Sequence, residues 1–308
     1  MRDIPSHLKG RDFLRVADWS PDEIGAVLDL ADSLKSAPRD DRPLLPGRTI
    51  AMIFEKPSLR TRVSFDVGIA QLGGSAVYLP GEEIGLGTRE PSRDLGLVLS
   101  RYVDGLVVRT FAQSTVDELA EHASVPVINA LTDESHPCQA LADAMTVRER
   151  LGSLDGVRVA YVGDGNNVCA SLMVACAKLG ASFVAATPPG YEPTAAATEA
   201  ARQAGGRPEL VADPREAARD ADVLYTDVWT SMGQEEERER RLHDFAGYTI
   251  DDDLVALASP RAIVLHCLPA HVGEEITESV LHGPRSAAWD QAENRLHAQK
   301  ALLALVVP

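Results

Sequence analysis

An α/β fold of two open domains, each with a mainly parallel central sheet flanked by helices, is what this sequence predicts, and three observations carry that expectation. From about residue 49 onward, short apolar runs that read as strands alternate with longer amphipathic runs that read as helices. After Gly152 to Gly156 the order of strand, polar turn and helix starts again, which marks a second unit. The chain of 308 residues also exceeds the size at which one hydrophobic core usually keeps growing. The expected domains are residues 1–148 and 149–286, with a last helix within 287–308 returning to the first domain.

Taken in order, Ser20 before Pro21, Asp22 and Glu23 is an N-cap followed by a helix-compatible proline and early acids, so a helix is expected over 21–35. Pro38 to Gly47 is a proline-rich linker. Thr49 to Phe54 is a strand, followed by a helix over 61–72, a stop at Gly73-Gly74 and a short strand over 75–79. Pro80 to Glu90 holds enough glycine for a surface loop. A helix over 91–101 leads to a strand over 104–108, whose end delivers Arg109. A helix over 115–123, a strand over 126–129 and a helix from Pro137 to about Arg150 complete the first half. In the second half strands are expected at 157–162, 182–186, 208–211, 223–226 and 262–265. Helices are expected between and after them at 168–179, 193–204, 214–219, 235–243, 251–257 and 287–306. The charged run Gln234 to Arg241 reads as the solvated face of its helix.

Composition removes several function classes. With 46 acidic against 30 basic residues and a formal charge of -16, a nucleic-acid partner is not expected, since such recognition is mostly phosphate neutralisation by a basic surface. No apolar run reaches the length of a membrane span, and Met1 to His7 lacks the apolar stretch of a secretion signal, so no membrane partner and a cytoplasmic location are expected. Cys138, Cys169, Cys176 and Cys267 are too dispersed for a disulfide framework. Neither a Cys-x-x-Cys nor a His-Glu-x-x-His is present, and the loop Gly163 to Asn167 lacks the third glycine of a dinucleotide fingerprint. No metal and no cofactor is therefore expected.

In open parallel sheets ligands collect beyond the carboxyl ends of the strands. Ser58-Leu59-Arg60-Thr61-Arg62 follows one such end and opens a helix, so backbone N–H groups, hydroxyls and planar guanidinium forks gather where phosphate oxygens fit. Alone, the segment suits an ordinary capped helix equally well. Arg109, His136, Asn167, Asp227 and Cys267 at other strand ends shift the balance toward a ligand. His136 and Gln139 share a helix face and offer an imidazole and an amide to a carbonyl or an NH2 group. Asn167 reads as a helix cap or as a ligand group. Asp227 suits a substrate ammonium, while Met232, in the turn Ser231-Met232-Gly233, is equally a core filler. Cys267 is either an inert buried thiol or a group set against an amine, and no nucleophile elbow accompanies it. Pro269 permits a cis bond. Arg295 is a surface charge unless the last helix carries it back to the first domain.

Together, Phe54 to Arg62, His136 to Gln139, Asp227 to Gly233, His266 to Ala270 and Glu293 to His297 resemble the motifs of the aspartate/ornithine carbamoyltransferase family, in family order over nearly the whole chain. The Asp227 and His266 segments look like the ornithine branch. The resemblance implies carbamoyl transfer from carbamoyl phosphate to the side-chain amine of L-ornithine, in a homotrimer or an assembly of trimers, without metal or cofactor. It implies that Ser58, Leu59 (through its backbone), Arg60 and Thr61 hold the phosphate. Arg109, His136, Gln139 and Arg295 would hold the carbamoyl end, with backbone contacts from Cys267 and Leu268. Asn167, Asp227, Ser231 and Met232 would hold ornithine, and Arg109, His136, Asp227, Cys267 and Arg295 would carry the catalysis. Leu59, Gly85 and Val272 depart from the family pattern, which commonly has threonine, glutamine and arginine there; the Gly85 departure implies weaker carbamoyl-phosphate binding. Two alternatives stay open: another amine acceptor, such as putrescine or a modified ornithine, and a non-catalytic regulatory paralogue.

Overall fold

Val-, Ile- and Leu-rich segments with little polar alternation form strands buried on both faces, as parallel sheets between helices require. A computed structural model describes residues 6–37, 43–86, 89–230 and 235–308. It divides into two units, Met1–Leu141 with Arg295–Pro308, and Ala142–Asn294.

The first unit contains α1 (Pro21–Ser36), β1 (Thr49–Phe54), α2 (Leu59–Gln71), β2 (Ser75–Pro80), α3 (Gly81–Ile84), α4 (Ser92–Leu99), β3 (Gly105–Arg109), α5 (Gln113–His122), β4 (Val127–Leu131) and the start of α6 (Pro137–Leu151). Its strands pair in the order β2-β1-β3-β4, all parallel. The chain leaves β1 toward one side of the sheet and returns as β3 on the other, so the carboxyl ends of β1 and β3 form the switch point where ligands of open sheets bind. A capping box starts α1: Ser20 Oγ accepts from the Glu23 amide at 3.2 Å and the Glu23 carboxylate accepts from the Ser20 amide at 2.7 Å. Ala51, Ile53, Leu106, Val108, Val116 and Leu119 fill the core beneath α4 and α5.

The second unit holds the rest of α6, then β5 (Arg158–Val162), α7 (Asn167–Lys178), β6 (Ser182–Ala186), α8 (Ala195–Gln203), β7 (Glu209–Val211), α9 (Pro214–Ala218), β8 (Val223–Thr226), α10 (Arg238–Asp244), α11 (Asp252–Val255), β9 (Ile263–His266), α12 (Glu278–Leu281) and the start of α13 (Ala288–Val306). Its strand order is β7-β6-β5-β8-β9, again parallel throughout, with the switch point at β5 and β8. Val162, Val184, Leu224, Ile250 and a stack of Trp229 on Phe245, centroids 5.5 Å apart, make its core.

The C-terminal helix packs on the first domain, as the sequence predicts. From Arg295 onward α13 belongs to the first unit, where Ala298, Ala301, Leu302 and Leu305 are buried and Lys300 Nζ donates to Gln71 Oε1 of α2 at 2.9 Å. Gly68 permits this approach, since a Cβ there would stand 3.1 Å from Lys300 Cγ.

Local expectations fail where elements are short. The helix expected over 235–243 is a 3-10 turn, Glu235–Glu237, followed by α10, and that over 251–257 is the single turn α11. The loop after β2 contains the one-turn α3, and α12 has no counterpart in the sequence reading. A single turn is too brief to show a helical period. Part of the linker, residues 38–42, and residues 87–88 of the loop lie outside the described residues. Among the described residues no helix is long and apolar enough to cross a membrane.

Candidate active site

In the first unit the chain beyond β1 is tied to the segments after β3 and β4 before it reaches Ser58. The Glu55 amide donates to the Arg109 carbonyl at 2.9 Å, and the Glu55 carboxylate accepts from the Thr110 hydroxyl. Lys56, buried, pairs with Asp133 and lies over the Phe111 ring, 4.5 Å from its centroid. Ser58 then caps α2, its Oγ accepting from the Thr61 amide at 3.3 Å, which leaves the Leu59 and Arg60 amides as helix-start donors. Thr61 Oγ1 accepts from Arg295 Nη2 at 3.1 Å, and Arg295 Nη1 donates to Gln139 Oε1 at 2.7 Å. Thr61, Gln139 and Arg295 thus meet, although they come from α2, α6 and α13.

His136 precedes α6, and its carbonyl accepts from the Gln139 amide at 3.1 Å. Burial, then the Arg295 and Arg109 guanidiniums, hold its pKa well below the usual histidine value, so the imidazole is neutral and keeps one N–H to donate. Arg109 is buried at the end of β3. Arg60 is half-buried, whereas Leu59 is 75% exposed. Arg62 does not join the cluster; it lies on the Tyr78 ring, 3.7 Å from the centroid. Cys138, inside the same motif, is a packing residue whose thiol burial pushes up to about 12, with Arg295 opposing, and which donates to the Asn129 carbonyl.

In the second unit Asp227 stands just past β8 and its carboxylate is bonded on both oxygens. Oδ1 accepts from the Cys267 thiol at 2.9 Å and from the Val228 amide at 2.8 Å; Oδ2 accepts from Asn166 Nδ2 at 2.8 Å. Asn166 Oδ1 in turn accepts from the Val168 and Cys169 amides, so Asn166 is the cap of α7 and the group that orients Asp227. Of the two readings of Asn167, the structure corrects that of a cap: Asn167 is the first residue of α7. Two adjacent asparagines at a helix start carry no sequence signal that separates these roles.

The turn carrying Cys267 is held by His266. Its Nε2 faces Glu275 Oε1 at 3.0 Å, its Nδ1 accepts from the Leu268 amide at 2.9 Å, and its amide donates to Gln291 Oε1 at 2.9 Å. With Nδ1 accepting, the ring proton sits on Nε2. The Leu268-Pro269 bond is cis and Leu268 has a φ of 58°. The Leu268 amide is thus committed to His266. Donor atoms of Asp227, His266 and Cys267 lie within 4.8 Å of one another, yet both His266 nitrogens are already engaged, so this trio does not offer a metal three ligands.

Ser231 and Met232 lie outside the described residues. The residues just before them are anchored by Arg241, which the charged-run reading assigned to solvent and which is in fact buried. Its Nη1 donates to the Trp229 carbonyl and to Asp164 Oδ2, each at 2.8 Å. Burial raises the Asp164 carboxyl to about 6, with Arg241 opposing. Arg241, Asn166 and Lys56 are the supporting residues that the sequence reading missed.

Two family models account for nearly the whole chain: the aspartate/ornithine carbamoyltransferase carbamoyl-P binding domain over residues 11–149 and the Asp/Orn binding domain of the same family over residues 155–306. The chain belongs to the aspartate/ornithine carbamoyltransferase family. Within that family it is 59% identical over 301 residues to an ornithine carbamoyltransferase of Acidothermus cellulolyticus, covering 96% of each chain. It is 53% identical over 306 residues to the anabolic ornithine carbamoyltransferase of Pyrococcus furiosus, covering 97% of each. A solved ornithine carbamoyltransferase from Pyrococcus furiosus superposes with a TM-score of 0.93 at 52% identity, over 97% of this chain and 98% of the other. That from Thermus thermophilus gives 0.89 at 47%, over 96% and 99%.

Proposed function

We propose that the chain is an ornithine carbamoyltransferase, which moves the carbamoyl group of carbamoyl phosphate to the side-chain amine of L-ornithine and releases L-citrulline and phosphate. The observation that carries this reading is the buried donor set at the β1/β3 switch point, Thr61, Arg109, His136, Gln139 and Arg295, in a unit whose family model binds carbamoyl phosphate. In this reading residues 1–148, with 287–308, bind carbamoyl phosphate, and residues 149–286 bind ornithine.

Phosphate oxygens take the Ser58 hydroxyl, the Leu59 and Arg60 amides and the Arg60 guanidinium at the helix start that Thr61 shares, where helix-start N–H groups favour an anion. Gln139 and Arg295, already bonded to each other, frame the carbamoyl group, and the family resemblance assigns the backbone of Cys267 and Leu268 to the same group. Asp227 receives the ornithine ammonium, with Asn167, Ser231 and Met232 toward the α-amino-acid end. Only the neutral amine attacks, so one proton passes from the ammonium to Asp227, whose lone pairs are directed by Asn166 and Cys267. The amine lone pair forms the new C–N bond while the carbonyl oxygen takes up negative charge facing Arg109, Thr61 and neutral His136; the carbonyl then re-forms as the carbon–oxygen bond to phosphate breaks with its electron pair, and the departing phosphate takes the second proton from the nitrogen. Preset donors of this kind contribute roughly 3–4 kcal/mol apiece in measured cases.

A homotrimer fits the apolar side chains left open on α2, where Leu59, Val63 and Val67 recur every fourth residue. The anabolic name of the Pyrococcus furiosus relative favours the biosynthetic direction. Steady-state assays at fixed carbamoyl phosphate test the reading. Ornithine is expected to give the highest kcat/KM among ornithine, putrescine, lysine and N-acetylornithine. A better acceptor within that set overturns the substrate, and background phosphate release with all four overturns the enzyme.

A further inference from the structure

The segment His271 to Glu275, just beyond the Cys267 turn, carries side chains that carbamoyl transfer does not use. One donor atom each from His271, Glu274 and Glu275 lies within 4.8 Å of the other two. Gly273, at a φ of 91°, makes the turn that folds them together, with the Glu274 amide donating to the His271 carbonyl at 2.9 Å.

Glu275 is wholly out of solvent, and its two oxygens are treated unequally. Oε1 accepts from His266 Nε2 and from the His271 amide, whereas Oε2 has no hydrogen-bond donor among the described residues. Glu274 shows the same asymmetry. Its Oε1 pairs with Arg238, while its buried Oε2 has no hydrogen bond among the described residues and stands 3.7 Å from His271 Nδ1. That gap is too long for a hydrogen bond. It lies close to the separation of two donors on one small cation, because ligands about 2.0–2.2 Å from a tetrahedral zinc stand ~3.3–3.6 Å from each other.

We propose that His271, Glu274 and Glu275 form a binding site for a divalent transition-metal ion, zinc being the best fit. One imidazole and two carboxylates are a zinc-compatible donor set, and the solvent side of His271 leaves room for a water as fourth ligand. Arg238 offsets one of the two carboxylate charges and the ion the other. His266, donating to Glu275 Oε1, fixes the carboxylate that presents Oε2, the supporting role that outer hydrogen bonds play around metals.

The test is calorimetric titration of the metal-free full chain with zinc, on wild type, His271→Ala, Glu274→Gln and Cys267→Ser, each checked for folding by circular dichroism. Wild type and Cys267→Ser are expected to take up a single ion per chain. His271→Ala and Glu274→Gln are expected to bind at least about tenfold more weakly, within the loss typical of altered metal shells. His271 is on the surface and Glu274→Gln preserves shape, so both variants should fold. No uptake by wild type overturns the proposal. So does loss of binding in Cys267→Ser or retention in His271→Ala, either of which moves the ion to another set of donors.

Discussion

Asn166 serves α7 and Asp227 at once, and two substitutions separate those duties. Asn166→Ala removes both; it should cost about 1 kcal/mol of stability as a lost cap and raise the KM for ornithine. Asn166→Asp keeps a good cap but sets a second carboxylate against Asp227 Oδ2. It should retain most of the stability and lose most of the activity. Urea unfolding and ornithine saturation curves read the two effects separately, and equal kinetic damage with equal stability in both variants would refute the orienting role. His136 gives a pH-dependent signature. Its folded pKa is depressed, chiefly by burial, so below the unfolded value of about 6.5 the unfolded chain binds a proton that the folded chain does not. Its contribution is therefore present above that pH and is lost as pH falls. In urea titrations between about pH 5 and 7, His136→Gln should flatten this acid loss. Asp164 acts in the opposite sense: with its carboxyl raised to about 6, chiefly by burial, it favours folding at low pH and loses that contribution as pH rises through 6.

Elements long enough to show a period were legible in the sequence, and so were the groups at their ends. Ser58, Thr61, Arg109, His136, Asp227 and Cys267 could be read because each follows a strand whose apolar run is unmistakable. Arg241 could not, because a charged run shows no difference between a side chain in solvent and one drawn inward by a carbonyl and a carboxylate. The one-turn α3 was hidden for the reason given above, and it bears on Gly85. That residue ends α3 in the left-handed conformation, φ 66° and ψ 47°. Restoring the family glutamine by Gly85→Gln should tighten carbamoyl-phosphate binding yet cost roughly 1–2 kcal/mol of backbone strain. Equal dissociation constants for the two proteins would remove any role for that side chain. At the start of α2, Ser58→Ala should cost about 1 kcal/mol of stability and weaken phosphate more than it weakens ornithine. Inorganic phosphate inhibition measures the first effect and ornithine KM the second.

At the scale of the whole molecule, a net charge of -16 keeps copies of the chain apart unless a specific face overcomes the repulsion. In the proposed homotrimer the outward side of α2 would be such a face. Leu59, Val63 and Val67 stand 75%, 49% and 40% exposed on one stripe of the helix, on the same element that begins at the Ser58 cap and carries Thr61. A stripe of this kind is withdrawn from water only if another chain covers it. Val63→Glu places a charge at its centre and should reduce the sedimenting mass from trimer toward monomer. Leu210→Glu, at an apolar residue of similar exposure on the edge strand β7, should leave the mass unchanged. If association also supports phosphate binding, through the helix start four residues away, activity in Val63→Glu should fall with dilution and recover at high protein concentration. A trimer that survives Val63→Glu would mean that a different face joins the subunits.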